Sequence, residues 1–324
     1  MSSLLFSENS WQAVSQQVQQ RVNDMKVSDI RSVCAELFFP QEAQDTFASA
    51  FEVLCSSEEA LHLMELNSAL FWREFFPALG AELKNLDLIS SLTGIHKYTV
   101  YELFYLMNYR QAEKEYRLHG ISDQIFHDSM MELNYKMLIT HNIYGVWGSA
   151  YADWFSGFYR RRTFCIGRLE YELVECFSDY TNGSYHIEKG APIINVHIPE
   201  TGPLKPDLVI DSFRKAAEFF KDCFSEDVIP FECLSWILYP PVVELFPKKN
   251  LKSFASFFDV IKTEMNQDHD DRWRIFQVAP TVELKDYPED TTLQRSLKEW
   301  LLMGNTMGIG NGIFFFHKGE IIAH

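Results

Sequence analysis

The sequence predicts a protein of two halves, in which a helical first half precedes an α/β half built on a mixed sheet with flanking helices. Only two of the 12 prolines, Pro40 and Pro77, lie before Arg160. A nearly proline-free segment suits long helices, and a proline-rich segment suits strands joined by turns. The segment Pro192–Phe220 also changes from a period of two to a helical period, which indicates a strand followed by a helix.

These observations divide the chain into two predicted domains, a helical domain over residues 1–160 and an α/β domain over residues 161–324. A chain of 324 residues is long enough for each of two domains to bury its own core. We therefore expect the boundary to lie near Arg160 to Thr163.

Composition favours some classes of partner over others. A net charge of −16 argues against nucleic acid or an anionic membrane as the main partner, because both bind basic surfaces. The six cysteines are scattered without a C-x-x-C pair, which is typical of reduced thiols in a cytoplasmic protein and predicts no metal site. The N-terminal residues are too polar for a signal peptide, and the longest apolar runs are too short to span a bilayer. Oligomeric state is not predicted.

The first half shows apolar residues recurring at three and four over most of its length, which predicts a helical bundle. Ser10 can cap a first helix that buries Trp11, Val14, Val18 and Val22. The further predicted helices run from Ser28 to before Pro40, from Gln41 to Leu54, from Ser56 or Ser57 to Phe76, from Asn85 to Leu92, from Val100 to His119, and from Ile121 to His141 after a C-cap at Gly120.

Seven aromatic residues lie between Tyr144 and Tyr159, at spacings of three and four. Packing in a core or between domains explains this density better than a ligand-lining role, which stays as the alternative. The run Arg160 to Arg162 is interpreted as a solvated domain edge, because three adjacent side chains cannot share one face. Contact with an anionic cofactor is the alternative for these arginines.

The second half begins with alternating segments. Thr163–Gly167 and Arg168–Cys176 predict two strands or one bent strand, and the Asn182-Gly183 turn leads to a strand at Tyr185–Glu188. Pro192–Ile198 is then predicted as a strand that carries Ile194 and Val196 on one face and Asn195 and His197 on the other.

A short proline- and glycine-containing loop follows this strand and leads to an amphipathic helix that begins after Pro206. Asp207 and Asp211 lie in the first turns of this helix, near the positive end of its dipole. A helix N-terminus after a short loop leaves backbone N–H groups that can receive a phosphate or a carbonyl oxygen.

The remainder of the second half gives a mixed pattern. We predict a strand at Phe231–Leu238, a short helix at Val242–Phe246, a strand at Arg274–Val278 and a helix at Leu293–Met303 capped by Thr292. Leu251–Glu264 fits either a helix or a strand. The glycines at 304, 308, 310 and 312 are interpreted as a helix stop and a turn into a terminal hairpin, because a dinucleotide fingerprint needs a strand before it and a helix after it.

Four phrases carry a resemblance to a known family. They are RLEYEL at 168–173, VHIPETGPL at 196–204, ECLSWILYP at 232–240 and TTLQRSLKEWL at 291–301. The chain resembles bacterial two-domain acyltransferases with a helical N-acyltransferase N-terminal domain and a GNAT-like C-terminal domain. The resemblance implies a donor, acetyl-coenzyme A or a longer acyl-coenzyme A, held between two splayed strands with its pyrophosphate on the next helix. It also implies a small amine or peptide-like acceptor.

The candidate site residues lie around the end of the Pro192–Ile198 strand. His197 can move a proton near neutral pH, and a hydrogen-bonded structural histidine is the alternative. Tyr239 could protonate a departing thiolate, or could simply pack on the prolines after it. Glu232 and Cys233 are further alternatives for chemistry. The resemblance implies cofactor binding by the following loop residues: Ile198, Thr201, Gly202, Leu204 and Lys205.

Two functions fit these residues. One is a coenzyme-A-dependent N-acyltransferase, which the retained VHIP and LQR phrases favour. The alternative is a GNAT-like protein that binds a ligand or partner without turnover. Leu234, which stands where the family phrase has a histidine, favours the alternative.

Overall fold

A computed structural model describes residues 24–73, 80–246, 249–265 and 271–323. The helix predicted around Trp11 and the end of the helix predicted to reach Phe76 lie outside these residues. The chain divides into two compact units, Met1–Arg161 and Arg162–His324.

The first unit is helical throughout its described part, as the sequence predicts. Its helices are α1 Val27–Glu36, α2 Gln41–Cys55, α3 Glu58–Arg73, α4 Leu83–Thr93, α5 Lys97–Leu118, α6 Asp123–Met130, α7 Glu132–Tyr144 and α8 Phe155–Tyr159. The single helix predicted over Ile121–His141 is wrong, because the chain turns at Met131 and forms α6 and α7 instead.

Aromatic side chains form much of the core of the first unit. The ring of Tyr105 on α5 contacts Phe71, Phe155 and Tyr159 edge-on, and the Tyr159 hydroxyl donates to the backbone carbonyl of Tyr105 over 2.6 Å. All four side chains are buried. The packing interpretation of the aromatic segment is therefore confirmed for Phe155 and Tyr159.

The arginines that end this unit are not a solvated edge. The Arg160 guanidinium lies 4.5 Å from the centre of the Phe71 ring and donates to the Phe71 carbonyl. Arg161 lies 3.5 Å from a carboxylate oxygen of Glu115. The sequence interpretation is wrong for Arg160 and Arg161, because their side chains return to the helical core of the first unit.

The second unit is a mixed sheet with flanking helices. Its strands are β1 Thr163–Ile166, β2 Leu169–Glu175, β3 Tyr180–Asn182, β4 Tyr185–Ile187, β5 Pro192–His197, β6 Ile229–Ser235, β7 Asp259–Met265, β8 Gly308–His317 and β9 Glu320–Ala323. The main sheet has the order β1-β2-β5-β6-β8-β7, with β9 also paired to β8, and β3 and β4 form a separate hairpin. The β5–β6 pair is parallel, and the other pairs are antiparallel.

The helices of this unit follow the strands. They are α9 Pro206–Phe220, α10 Pro240–Val243, α11 Lys249–Ala255, α12 Arg272–Phe276 and α13 Thr292–Leu302. The helix predicted after Pro206 is confirmed as α9. The final helix begins with a capping box between Thr291 and Gln294, one residue before the predicted cap at Thr292.

Three predictions in the second unit need correction. The ambiguous segment Leu251–Glu264 contains both elements, the helix α11 followed by the strand β7. The strand predicted at Arg274–Val278 is wrong, because α12 occupies this region. Gln277, the residue after the helix, has a left-handed φ of 48°. The strand predicted to reach Leu238 ends at Ser235, whose hydroxyl accepts from the Ile237 N–H and begins a 3-10 turn.

The two faces of the main sheet differ in character. On one face, Phe213 of α9 contacts Phe231 of β6 and Phe314 of β8, and these two strand residues stack on each other. On the other face, the β3–β4 hairpin covers only part of the sheet, where Tyr180 stacks on Phe315. The part of this second face that approaches the end of β5 carries polar side chains.

Gly304 ends the last helix in a turn, as predicted, and β8 and β9 form the terminal hairpin, but Gly308, Gly310 and Gly312 belong to β8 and not to a turn. Their spacing places Gly308, Gly310 and Gly312 on the helix-covered face of the sheet. A Cβ atom on Gly310 would lie 2.3 Å from the carbonyl oxygen of Leu238, so the 3-10 turn after β6 rests directly on the strand. Cβ atoms on Gly308 and Gly312 would likewise lie within 3 Å of the Tyr239 ring and of the Phe258 Cβ atom, so the alternating glycines make room for close packing on this face.

Candidate functional site

The parallel strands β5 and β6 separate at their C-terminal ends. Their pairing joins Ile194 to Phe231 and Asn195 to Glu232, and in the described part of the chain it goes no further. β6 nevertheless stays paired with β8 as far as Ser235 and Gly310. The backbone groups that face each other beyond Asn195 and Glu232 are therefore available to a ligand that enters between the strands.

His197 lies at this opening and has two polar neighbours. Its Nε2 atom is 3.6 Å from Oε2 of Glu172 on β2 and 3.2 Å from Nδ2 of Asn195. His197 and Glu172 each expose about a quarter of the side chain, at 25% and 24%. The neutral ring can accept from Asn195 through Nε2, and a protonated ring presents the same nitrogen to the Glu172 carboxylate. The Nε2 atom of His197 thus faces polar side chains at this opening.

Glu232 occupies the same face of the sheet, on the strand beside Asn195. Its side chain is only 9% exposed, and Oε2 has no hydrogen-bond partner among the described residues. Burial raises the pKa of the Glu232 carboxyl to about 7. A carboxyl group with this pKa exchanges protons near neutral pH, so Glu232 can act as an acid or as a base.

Two guanidinium groups hold the loop between β5 and α9: that of Arg274, which lies 3.1 Å from the Glu200 carboxylate, and that of Arg168. Arg168 donates to the carbonyl oxygens of Pro199, Gly202 and Pro203, at 3.2, 2.5 and 3.3 Å respectively. Gly202 has a φ of 113°, a backbone conformation that residues with a side chain rarely adopt. Three carbonyl groups of the loop thus point to a single cation, which defines the path of its backbone.

The turn that carries Arg168 is in turn held by α9. The Ser212 hydroxyl of α9 donates to the Ile166 carbonyl over 2.5 Å and accepts from the Leu169 N–H over 3.2 Å. These two bonds fasten the β1–β2 turn, which contains Arg168, to the helix that follows the loop. The turn, the loop and α9 therefore form one connected structure.

The N-terminus of α9 opens beside this loop. Lys205 is its N-cap residue, makes no side-chain cap, and is followed by Pro206. Val209 is the first residue of this helix whose N–H reaches a carbonyl group one turn back, that of Lys205. The N–H groups of Asp207 and Leu208 have no intrahelical acceptor, since a helix leaves its first N–H groups unbonded. Such a terminus suits an anionic group.

The structure brings most of the predicted cofactor-binding residues together. Ile198, Thr201, Gly202 and Lys205 lie in or at the end of this loop, and Thr201, Gly202 and Lys205 are exposed. Leu204 is only 4% exposed and its side chain anchors the loop. Any contribution of Leu204 to a ligand would therefore come from its backbone.

Tyr239 is not beside His197. A Cβ atom on Gly308 would lie 2.7 Å from Cε2 of Tyr239, so the tyrosine ring rests on β8 at the helix-covered face. His197 belongs to the opposite face, and β6 lies between β5 and β8 in the sheet. The structure thus separates the two side chains that the sequence analysis paired, and the catalytic role of Tyr239 stays a prediction.

Three further residues of this site were not identified from the sequence. Arg168 and Glu172 lie within the phrase RLEYEL, but their partners are on other strands and loops. Asn311 lies opposite Leu234 in the β6–β8 pairing, and its Oδ1 atom is buried without a hydrogen-bond partner among the described residues. The alternation of RLEYEL places Glu170 and Glu172 on one face, which is the only signal that the sequence offered.

Family comparison identifies both units. The N-acyltransferase N-terminal domain model matches residues 28–161, and the GNAT-like C-terminal domain model matches residues 163–314. The chain belongs to the two-domain N-acyltransferase family. The resemblance stated from the four sequence phrases is therefore confirmed. A search of curated proteins gave no significant match.

Solved structures support the fold of this chain. A mutant of the acyltransferase orf11* in complex with octanoyl-CoA has a TM-score of 0.72 at 18% identity, covering 89% of this chain and 88% of that one. An acyltransferase in complex with decanoyl-CoA has a TM-score of 0.63 at 18% identity, covering 89% and 99%. An acyltransferase in complex with decanoyl-CoA and teicoplanin has a TM-score of 0.57 at the same identity and coverage.

The described residues contain neither a membrane-spanning helix nor a metal-binding group of side chains. None of the described helices combines the length and the apolar character needed to cross a bilayer. In the same part of the chain, no group of three or more His, Cys, Asp or Glu side chains is arranged to hold a metal ion.

Proposed function

We propose that this N-acyltransferase transfers an acyl group from an acyl-coenzyme A to the nitrogen of a small amine or peptide-like acceptor. The observation that carries the proposal is the separation of β5 and β6 beside His197, next to a fixed loop and an open helix N-terminus. The similar acyltransferases in complex with octanoyl-CoA and decanoyl-CoA support medium-chain donors, and acetyl-coenzyme A stays the short-chain alternative. The complex with teicoplanin supports a peptide-like acceptor.

The donor fits the residues that surround the opening. Its pyrophosphate would bind the N–H groups at the start of α9, together with backbone groups of Thr201, Gly202 and Leu204. Lys205 lies at the same point and adds an exposed positive charge. The amide groups of the pantetheine arm would pair with the backbone of β5 and β6 where these strands have separated. Ile198 follows directly on β5 and would line the same passage.

His197 would move the proton that the reaction releases from the attacking nitrogen. The amine attacks the thioester carbonyl carbon, a C–N bond forms, and the nitrogen becomes positively charged. His197 takes a proton from this nitrogen and returns it to the sulfur atom as the C–S bond breaks. The Glu172 carboxylate, 3.6 Å from the ring, would stabilise the protonated histidine between the two transfers. Tyr239 is the alternative acid for the sulfur atom.

The proposed function is tested by titrating acetyl-, octanoyl- and decanoyl-coenzyme A into the protein in a calorimeter, followed by an assay of amine-dependent thiol release. We expect binding of at least one donor and release of free coenzyme A when a primary amine is added. Failure of all three donors to bind would refute the proposal. Binding without thiol release for any amine would favour a GNAT-like binding protein without turnover, which the exposed Leu234 beside the site would suit.

Gly202 gives a specific prediction for donor binding. Replacing Gly202 by Val should weaken the binding of decanoyl-coenzyme A at least tenfold, because a β-branched residue does not adopt a φ near 113° without strain. No described atom lies within 4 Å of the position that a Cβ atom would take, so the change creates no clash that would unfold the unit. Calorimetry measures the affinity, and circular dichroism checks the fold. Normal donor affinity in a folded variant would show that the loop is only a connection.

A further inference from the structure

Two buried hydrogen-bond acceptors lie close together on the polar face of the sheet. Glu232 pairs with Ile313 of β8, and the next residue along this face, Leu234, pairs with Asn311. Glu232 and Asn311 are therefore diagonal neighbours on adjacent strands, a position from which side chains of this length can reach a common ligand. Oε2 of Glu232 and Oδ1 of Asn311 are both buried and have no hydrogen-bond partner among the described residues.

Buried acceptors without a donor are costly, and proteins rarely keep them without a reason. A ligand that satisfies both atoms must bring N–H or O–H groups of its own. A primary ammonium group has three N–H donors, no acceptor and a positive charge, and so matches a carboxylate beside an amide oxygen. A neutral hydroxyl brings a single donor, which can satisfy only one of the two acceptors, and it carries no positive charge to pair with the Glu232 carboxylate.

We propose that Glu232 and Asn311 bind the acceptor substrate as a protonated primary amine, and that Glu232 removes its first proton. This inference rests on the proposed function, for which it names the acceptor class. It predicts that primary amines serve as acceptors and that alcohols of the same shape do not.

The reaction releases two protons from the ammonium nitrogen, and Glu232 and His197 each take one of them. The bound ammonium gives one proton to the Glu232 carboxylate and becomes a neutral amine with a lone pair. After this amine has attacked the thioester carbonyl, His197 takes the second proton from nitrogen and delivers it to sulfur. The products are the amide, coenzyme A as a thiol, and a protonated Glu232 that releases its proton to solvent.

The surroundings of Glu232 agree with this role. Burial raises the pKa of the Glu232 carboxyl to about 7, so this group is partly ionised at neutral pH and accepts a proton readily. Several titratable or charged groups share this face of the sheet or adjoin Glu232. They come from β2 and the residue that follows it, from β5, from β7 and from β6 itself. They are Glu170, Glu172, His197, Asp259, Lys262, Glu264, Cys176 and Cys233.

An infrared titration tests the inference without requiring turnover. The difference between wild-type protein and Glu232→Gln isolates the band of the protonated Glu232 carboxyl near pH 6.5. Adding n-butylamine, benzylamine or glycinamide should reduce this band, because a bound ammonium ion favours the ionised carboxylate. Their hydroxyl counterparts n-butanol, benzyl alcohol and glycolamide should leave it unchanged. A band that no amine reduces, in protein that binds decanoyl-coenzyme A, would overturn the inference and leave the proposed function intact.

Kinetics of the variants give a second readout. Glu232→Gln should lower kcat/KM for an amine by about 10²-fold or more and abolish the fall in rate below pH 7, while donor affinity stays unchanged. Asn311→Leu should chiefly raise KM for the amine. An unchanged pH profile in Glu232→Gln would contradict the proposal.

The same variants separate a substrate-binding role from a structural one. Because burial disfavours the ionised form of Glu232, the contribution of this carboxyl to stability is fully present below its unfolded pKa of about 4.5 and is lost as pH rises through about 7. Glu232→Gln should therefore melt at a higher temperature than wild type at pH 8 while being less active. A variant that is both less stable at pH 8 and less active would show that Glu232 is a structural residue.

Discussion

Replacing His197 by Ala should reduce acyl transfer by about 10²- to 10⁴-fold, the usual contribution of a proton-transfer group. Donor affinity should remain within twofold of wild type, because the groups proposed to hold the donor are backbone atoms of the loop, β5 and α9. The fold of the variant is checked by circular dichroism, because about three quarters of the His197 side chain is buried, against neighbours that include Glu172 and Asn195. Thiol release with a primary amine measures the rate, and calorimetry measures the affinity.

His186 provides the matched control for this experiment. It is an exposed histidine on β4, and its ring forms a hydrogen bond with the Thr181 hydroxyl on the neighbouring strand β3. His186→Ala should retain full activity. Glu172→Gln should fall between the two, because it removes the charge that stabilises a protonated His197 and leaves the ring in place. If His197→Ala keeps wild-type turnover, the proton is moved by another group, and Tyr239 becomes the first candidate to test.

Replacing Arg168 by Ala should weaken donor binding by about 10- to 100-fold, because one guanidinium group holds three carbonyls of the loop. Without it the loop samples other conformations, and donor binding must then bear the cost of ordering it. Arg168→Lys should be nearly as weak, since a single ammonium group cannot reproduce the fork of a guanidinium. Both affinities are measured by calorimetry with decanoyl-coenzyme A.

Arg214 is a suitable control for Arg168. Its guanidinium also donates to a backbone carbonyl, that of Gly319, but from the middle of α9, about two helical turns away from the loop. Arg214→Ala should bind the donor as wild type does. Wild-type affinity in Arg168→Ala would show that the loop is ordered without its cation, and would remove Arg168 from the account of donor binding.

The sequence predicted the local elements of the site better than their spatial relations. The strand that ends at His197 and the helix that begins at Pro206 follow from periodicity and proline placement, both of which are properties of adjacent residues. Gln277 shows the limit of this approach. A strand is predicted at Arg274–Val278, whereas the structure has a short helix there that is followed by the left-handed residue Gln277.

The polar partners of the site depend on strand register, which neighbouring residues do not determine. Asn195 lies beside Glu232, and Glu232 lies beside Ile313, on strands that are far apart along the chain. The position of Tyr239 depends on the same information. It lies over Gly308 only because the chain turns at Ser235, and its separation from His197 could not be predicted from either residue.

Hydrogen exchange in the presence and absence of decanoyl-coenzyme A tests the central claim most directly, because it reports where the donor binds. The account predicts slower exchange of the backbone amides at 196–208, which contain the end of β5, the loop and the start of α9, and at 233–235 on β6. Amides on β3 and β4 should exchange as before. Tight binding of the donor with no protection at 196–208 or 233–235 would contradict the account and place the donor site elsewhere in the protein.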